Sequence, residues 1–253
     1  MSTRRLVVSL VAALAASLVA CGAGDDPEDL CAVCGEPAVV GALADPELAE
    51  LSGVAASASF PDVLYAHNDS GDAARFFALS RSGEALAVFT VQGAKNVDWE
   101  EMGRGPCQAG SCLFIADIGD NARERAGYSV YRVPEPAAIG AGAQSIAGDR
   151  IDFTYPDGPH DAETLLVHPI SGVLTIVTKV ESGPAQIHEL PPSLSPGRIY
   201  VSERVGELAP PKGDDRFTGG AVHPEGTAVL LRTRGKLFRY PMEPAQSVAE
   251  ALA

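Results

Sequence analysis

The sequence predicts an all-β fold, specifically a β-propeller of four-stranded blades. From about residue 51 onward, short alternating runs rich in β-branched and aromatic residues are separated by Gly, Pro, Asp and Asn, with almost no helical periodicity. The runs recur in groups of four at intervals of about 45 to 65 residues. The tripeptide Val-His-Pro stands at the same place in two groups, at 167–169 and 222–224. This recurrence favours a propeller over a β-sandwich, which also has short, regularly spaced strands.

Three complete groups and most of a fourth account for residues 51 to 241. The first group reads SGVAASAS, VLYAHND, RFFALS and EALAVFTV. The second reads DWEEMGRG, LFIADIG, YSVYRVP and RIDFTY, and the third reads DAETLLV, VLTIVTK, AQIHEL and RIYVSER. The fourth reads FTGGAV, TAVLLRT and KLFRYP and has no fourth run. About four blades are therefore visible.

Two hypotheses account for the incomplete fourth group. The segment PAVVGAL at 37–43 can supply the missing outer strand and close the ring. Alternatively, the chain is a truncated larger propeller, incomplete at its C-terminus, and the tail EPAQSVAEALA is a linker.

The N-terminus predicts a lipoprotein leader. Arg4 and Arg5 precede an apolar run that is too short to span a membrane, and this run ends in LVAC at Cys21, which is typical of a bacterial lipobox. An ordinary cleaved signal is the alternative. We expect a signal peptide at 1–20, lipidation of Cys21, an acidic tether at 21–36 and the propeller at 37–253. This organisation predicts an extracytoplasmic protein anchored in the bacterial cell envelope.

The other cysteines fit an exported protein. Cys107 and Cys112 flank the tight turn QAGS, and we expect a disulfide that closes a hairpin. Cys31 and Cys34 form CAVC, for which a structural disulfide is favoured over a redox pair or half of a zinc site.

The charge balance is strongly acidic. The formal net charge is −14 at pH 7, and removal of a leader with Arg4 and Arg5 would leave 17 basic against 33 acidic residues. Such a surface repels nucleic acid and anionic membranes and favours cations. No basic patch interleaved with aromatics is present, so no nucleic-acid partner is expected and contact with a membrane is predicted through the lipid anchor only.

Several stretches together resemble a known group of proteins: LYAHNDSGD, DWEE, LFIADIGDNARER, YRVPEP and DAETLLV. Over roughly residues 50 to 245 the chain resembles secreted bacterial propeller proteins that are loosely similar to phytase-like and lactonase-like six-bladed propellers. The resemblance implies a propeller with further blades after the present C-terminus.

The inner strands of two successive blades begin with the same acidic pattern. Asp98 and Glu100 in DWE alternate along one strand and so point the same way, as do Asp161 and Glu163 in DAE. At the head of an inner strand that direction can be the central channel. Alignment of the groups places four residues at equivalent positions: Ser52, Glu100, Glu163 and Thr218.

The turns HNDSGD and DIGDN follow second strands, and in a propeller they lie on the same face as the heads of the inner strands. We therefore expect a rim formed by His67, Asp69, Asp117, Asp120 and Asn121. The competing interpretation is turn chemistry alone, because Asn, Asp and Gly are the residues that turns require.

Converging carboxylates raise one another's pKa unless a cation neutralises them, and an oxygen-only ligand set suits calcium better than magnesium. We therefore predict a divalent-cation site of Asp98, Glu100, Asp161 and Glu163, in a module that binds a small molecule or a protein. A metal-dependent hydrolase of phosphate esters or lactones is the alternative, with no catalytic residue assigned, and a structural envelope scaffold is the second alternative.

Overall fold

The computed structural model describes residues 38–43, 45–209 and 216–253. They form four sheets arranged as a four-bladed β-propeller, with one short helix. In chain order the elements are β1 Leu51–Ala56, β2 Val63–Asn68, β3 Arg75–Ser80, β4 Ala85–Val91, β5 Trp99–Cys107, β6 Gly110–Asp117, β7 Tyr128–Pro134, β8 Ala143–Ile146, β9 Asp149–Thr154, β10 Ala162–Val167, β11 Leu174–Thr178, β12 Ala185–Glu189, β13 Ile199–Val201, β14 Glu203–Leu208, β15 Gly219–Val222, β16 Ala228–Arg232, β17 Leu237–Pro241 and α1 Val248–Leu252.

Each predicted group of strands forms one blade, which confirms the propeller and excludes the sandwich. Blade 1 is β1-β2-β3-β4, blade 2 is β5-β6-β7-β9, blade 3 is β10-β11-β12-β14, and blade 4 is β15-β16-β17. The first strand of each blade, β1, β5, β10 or β15, lies innermost, and all four line a shared cavity of about 200 Å³ on the axis.

The blades are held together by apolar cores that lie between neighbouring sheets. Tyr65, Phe76 and Trp99 belong to the core between blades 1 and 2, and Phe114 and Phe153 to the core between blades 2 and 3. The alternation of apolar residues along the strands produces these cores, because the facing sides of consecutive sheets bury their apolar residues against each other.

Two short strands were not predicted. β8 and β13 lie in the connections between the third and outer strands of blades 2 and 3, and each pairs in parallel with the outer strand of the preceding blade, β8 with β4 and β13 with β9. They cover edges that would otherwise expose unpaired backbone groups. The interpretation of RIYVSER as one strand of blade 3 was therefore wrong. The run divides at Ser202, whose backbone N–H donates to Thr154 O at 2.9 Å, so that β13 joins blade 2 and β14 joins blade 3.

The disulfide between Cys107 and Cys112 is present and confirms the predicted hairpin closure, with 5.8 Å between the Cα atoms. It joins β5 to β6 across a turn at Gly110, whose φ of 97° lies in the left-handed region that favours glycine.

Two predictions about the chain ends were wrong within the described residues. Of the segment predicted to close the ring, the described residues 38–43 lie against the β3–β4 turn of blade 1, because Ala42 donates its N–H to Ser82 O at 3.1 Å. The close approach of Gly41 to Ser82 permits this placement. Among the described residues, the sheet of blade 4 therefore keeps three strands.

The tail that was expected to be a linker instead forms α1. Ser247 caps the helix and forms a capping box with Glu250. Val248 and Leu252 are buried in the core between blades 3 and 4.

The predicted leader at 1–20 and tether at 21–36, with Cys21, Cys31 and Cys34, lie outside the described residues. Within the part of the chain that the structure describes, no helix is long and apolar enough to cross a membrane.

Candidate functional site

The heads of the inner strands share one structural feature, a β-bulge in the pairing with the second strand. The bulge lies between Leu51 and Val54 in β1, around Glu100 in β5 and around Glu163 in β10. A bulge inserts an extra residue and re-aims its side chain. The predicted equivalence of Ser52, Glu100 and Glu163 is thus visible in the strand register, whereas β15, which follows Thr218, pairs without a bulge.

Three carboxylates meet at this face, between blades 1 and 2. Asp69, Asp98 and Glu100 each present an oxygen, and these oxygens all lie within 4.8 Å of one another. We call these residues the carboxylate cluster. Asp98 and Glu100 flank Trp99, whose side chain is fully buried in the core, so alternation turns both acids toward the face. Asp69 follows β2 and is fixed by its N–H, which donates to Glu50 O at 2.8 Å.

Gly119 makes room for the carboxylate cluster. A Cβ at this position would lie 2.4 Å from Asp98 Oδ2 and 2.5 Å from Glu100 Oε1. Glycine is therefore required here for close approach, since any other side chain would displace the carboxylates.

Glu100 is the least compensated member of the cluster. It is 7% exposed, and none of the described residues donates a hydrogen bond to its carboxylate or forms an ion pair with it. Burial, followed by the charges of Glu163, Asp69 and Asp98, raises the pKa of Glu100 to about 9. Burial and the charge of Asp69 likewise raise the pKa of Asp98 to about 6.

The other two predicted metal ligands have a different environment. Asp161 and Glu163 both form ion pairs with Lys179, at 3.2 Å for Asp161 Oδ2, and Asn121 Oδ1 accepts a hydrogen bond from the same ammonium at 3.1 Å. Burial alone would lower the pKa of Lys179, but Glu163 and Asp161 outweigh it and the pKa is raised. The four predicted ligands are thus divided into two pairs. Asp98 and Glu100 form no ion pair among the described residues, and their pKa values are raised although Arg125 and Lys179 offset part of their charge, whereas Asp161 and Glu163 are paired with Lys179.

Lys179 was missed by the sequence analysis, although a signal existed. Asp69, Gly119 and Lys179 each donate their backbone N–H to the residue before the inner strand of their blade, at 2.8, 3.1 and 2.8 Å. They are therefore equivalent positions at the ends of second strands. An alignment of the ends of the second strands, in addition to the heads of the inner strands, would have identified Lys179.

Two aspartates of DIGDN are buried supports of the face. Asp117 accepts the N–H of Asp98 at 3.1 Å and forms an ion pair with Arg125 at 2.9 Å. Asp120 accepts the N–H of Arg125 at 2.9 Å and the hydroxyl of Tyr128 at 2.8 Å. Burial alone would raise the pKa of Asp120, but these hydrogen bonds outweigh it and lower the pKa. Both were predicted at the rim of this face; both are buried, and the turn interpretation accounts for their hydrogen bonds.

Of the remaining rim predictions, Asn121 is exposed at the face, Asp69 belongs to the carboxylate cluster, and His67 is not on a rim. His67 is fully buried, with its ring edge-on to Trp99 at a centroid distance of 5.4 Å. Burial lowers the pKa of His67, so its imidazole is neutral.

A polar cavity of about 410 Å³ opens beside Lys179 on the same face. Its lining is mixed in charge and includes Asn121, Arg123, Asp161, Glu181 and Arg216. The face is therefore not uniformly acidic: a carboxylate cluster lies on one side and basic side chains lie on the other.

Below the face, Glu101 reaches across the axis. Its Oε2 accepts the N–H of Gly220 in blade 4 at 2.9 Å, and its Oε1 accepts the N–H of Met102 at 3.0 Å. Burial raises the pKa of Glu101 to about 8. The sequence analysis missed this residue because strict alternation gives Glu101 the orientation opposite to that of Glu100, and the bulge removes that alternation.

No protein-family model matches the chain, and no curated protein matches it. Among solved structures, the β-propeller domain of Myceliophteria thermophila Cps50 (Swd1) is similar at 12% identity and a TM-score of 0.42, over 76% of this chain and 54% of that one. The complex of KlAtg21 with the coiled-coil of AgAtg16 is similar at 12% identity and a TM-score of 0.38, over 78% and 54%. This chain spans about half the length of these structures.

Proposed function

We propose that this propeller is a binding module that holds a divalent cation at its mouth through Asp69, Asp98 and Glu100. Propellers serve as binding modules, as scaffolds and as enzymes, so the site and not the fold must carry the assignment. The observation that carries this proposal is Glu100: a carboxylate that is 7% exposed and faces two other carboxylates. Among the described residues it accepts no hydrogen bond and forms no ion pair, and only the more distant charge of Lys179 offsets it in part. Such an arrangement is costly unless a cation neutralises it.

Calcium fits the carboxylate cluster better than magnesium. All three side chains offer oxygen, and calcium accepts six to eight oxygen ligands in irregular geometry, with waters and backbone carbonyls completing the set. Magnesium demands a nearly ideal octahedron and retains most of its water. Because the cluster is the binding group, the four-ligand set predicted from the sequence is revised: Asp69 replaces Asp161 and Glu163, which Lys179 already neutralises.

The cavity beside the cluster suits a small ligand with anionic groups. Arg123, Lys179 and Arg216 lie along its wall, so a ligand can contact basic side chains there while the cation holds a second oxygen. The ligand class that we propose is therefore anionic and small enough for about 410 Å³.

A metal-dependent hydrolase of phosphate esters or lactones is the second candidate function, favoured by the same cavity. A cation can polarise a phosphoryl or carbonyl oxygen and activate water, and basic side chains can hold the developing negative charge. A screen of generic phosphoester and lactone substrates with calcium, in wild type and Glu100→Gln, distinguishes this function from binding alone. Cation-dependent turnover that is lost in the variant would establish the enzyme.

Calcium titration tests the module proposal. Wild type, Glu100→Gln and Glu84→Gln are melted in rising calcium and in rising magnesium, after a chelator has removed bound metal. Glu84 is exposed on the β3–β4 turn, on the opposite face, and serves as the matched control. We expect calcium at about 100 times its Kd to stabilise wild type and the control by about 2.7 kcal/mol. We expect no stabilisation of Glu100→Gln. A wild-type melting temperature indifferent to both metals would overturn the proposal.

The proposal also includes anchoring of the module to the bacterial envelope through an acylated Cys21. The supporting observation is the lipobox-like LVAC that closes the apolar run. Labelling of the expressing cells with a palmitate analogue should mark wild type and leave Cys21→Ser unmarked. Labelling of both proteins, or of neither, would contradict the anchor.

A further inference from the structure

We infer that Asp157, His160 and His188 form a second metal site, for a divalent transition-metal ion such as zinc, at the junction of blades 2 and 3. Asp157 and His160 lie in the connection between β9 and β10, and His188 lies on β12. One ligand atom from each lies within 4.8 Å of the other two. Residues far apart in the chain are thus brought together on two neighbouring blades. We call these three residues the junction triad.

The spacing of the junction triad is close to that of a coordination shell. His160 Nε2 lies 2.8 Å from Asp157 Oδ1, and the rings of His160 and His188 are 5.8 Å apart between centroids. Tyr155 contacts both imidazoles edge-on, at 5.0 Å from His160 and 4.7 Å from His188. The ring orientations are therefore fixed by packing, as a preorganised site requires.

His188 has the partners of a ligating histidine. Its ring is fully buried, and its Nδ1 forms a hydrogen bond with Ser202 Oγ at 3.1 Å. Metal-bound imidazoles usually hold one nitrogen in such a bond, which fixes the tautomer and leaves the other nitrogen for the metal. Here Nε2 is the other nitrogen, and Gln186 Oε1 lies 2.7 Å from it.

Gln186 contacts two members of the junction triad, Asp157 and His188. Its Nε2 donates to Asp157 Oδ2 at 3.3 Å, while its Oε1 meets His188. A bound ion would take the His188 nitrogen from this amide, and the amide oxygen is then positioned as an additional oxygen ligand. The fourth coordination position therefore has a candidate within the chain.

Protonation is compatible with metal binding. Burial, followed by the neighbouring His160, lowers the pKa of His188 to about 4, so its ring is neutral near pH 7. Burial alone would raise the pKa of Asp157, but the hydrogen bond from His160 outweighs it, so this carboxylate is ionised.

The ligand types select the metal. Two imidazoles and a carboxylate suit zinc and its neighbours in the transition series, whereas calcium and magnesium prefer oxygen alone. The junction triad therefore differs in its chemistry from the carboxylate cluster at the mouth, and neither site depends on the other.

Zinc titration of the chelator-treated full chain tests the inference. Because the cysteines of CAVC can also bind zinc when they are reduced, all proteins in the titration carry Cys31→Ser and Cys34→Ser. The test variants are His160→Gln and Asp157→Asn, which alter partly exposed positions of the connection and spare the core. His223→Gln, which alters an exposed histidine in a turn of blade 4, is the matched control. Circular dichroism verifies that each variant is folded.

We expect one tight zinc equivalent per chain in the reference protein and in His223→Gln, and an affinity at least about tenfold weaker in both test variants. Cobalt(II) in the same position should give the visible spectrum of a nitrogen-containing, low-coordinate site, which is lost in His160→Gln. Zinc affinity that is equal in the reference protein and both test variants, or absent from the reference protein, would leave Asp157 and His160 as an ion pair only and overturn the inference. Glu100→Gln should bind zinc normally, so failure of the mouth site and failure of the junction triad are distinguishable.

Discussion

Lys179 Nζ is paired with the Glu163 carboxylate at the propeller mouth, and through this contact the chain supplies its own cation to one half of a face rich in acidic groups. The equivalent backbone position in blade 2 is Gly119, which carries no side chain. Among the described residues, the acids of blade 2, Asp98 and Glu100, form no ion pair, and the charges of Arg125 and Lys179 offset them only in part. This difference between neighbouring blades is the basis of the cation site proposed above.

Glu100→Gln should change how stability depends on pH. The folded-state pKa of Glu100 is about 9, above its usual 4.5, so the folded chain binds the extra proton between these values. Metal-free wild type should therefore lose stability as pH rises from about 5 to about 9. Glutamine mimics the protonated acid at every pH, so the variant should have a flatter profile, measured by urea unfolding in a chelator. A wild-type profile that rises with pH, or identical slopes in both proteins, would contradict this expectation.

Replacement of Lys179 by methionine should destabilise the fold and create a second cation site. Loss of the ammonium leaves Asp161 and Glu163 without a cationic partner, at a cost of about 3 kcal/mol. Calcium should restore part of this stability, and equilibrium dialysis should find one more bound calcium per chain than in wild type. Lys95→Met, at an exposed lysine, is the control and should change neither quantity. An unchanged stoichiometry in Lys179→Met would show that Lys179 does not substitute for a cation.

Gly119→Ala should impair the carboxylate cluster by shape and not by charge. The added methyl group would lie 2.4 Å from Asp98 Oδ2, so the carboxylates must move. We expect a loss of about 2 kcal/mol in stability and weaker calcium binding in titration calorimetry. Gly127→Ala in the same loop is the control, because its nearest neighbour would lie at 3.4 Å, an ordinary contact. Equal calcium affinity in both variants would show that the cluster tolerates displacement.

Asp120→Asn should lower the stability of the fold without changing calcium binding at the carboxylate cluster. The Asp120 carboxylate accepts hydrogen bonds from two backbone N–H groups and from Tyr128, and an amide keeps only one acceptor oxygen. We expect a loss of about 2 kcal/mol on urea unfolding, with calcium affinity unchanged. The exposed neighbour Glu124→Gln should be neutral in both measurements. Calcium binding that weakens in Asp120→Asn without loss of stability would show that Asp120 takes part in cation binding.

The sequence predicted the blades because their determinants are local. Alternation along each strand and turn residues between strands depend on neighbours in the chain, and both recur from blade to blade. β8 and β13 were missed because they are short and pair in parallel with strands from the preceding group, which no local pattern reveals. The short helix α1 was missed because its apolar residues acquire a partner only when blades 3 and 4 come together.

The site was predicted in part for the same reason. The recurrence of DWE and DAE identified Glu100 and Glu163 as equivalent, and the bulges at both positions agree. Lys179 follows the second strand of blade 3 and pairs with acids at the head of the first strand, whereas the junction triad combines the β9–β10 connection with β12, and a whole strand pair separates His160 from His188. Their proximity follows from the pairing of strands and the packing of consecutive blades and not from spacing along the chain.

The hydrogen bond from Gly220 to Glu101 bears on how a ligand can reach the mouth of the propeller. Glu101 lies on the axis between the mouth above and the cavity of about 200 Å³ below, and it joins the innermost strands of opposite blades. The Glu101 side chain therefore crosses part of the space between the inner strands at this level. We therefore expect an ion held by the carboxylate cluster to bind and dissociate through the mouth face. The opposite face can then contact other surfaces without touching the bound ion.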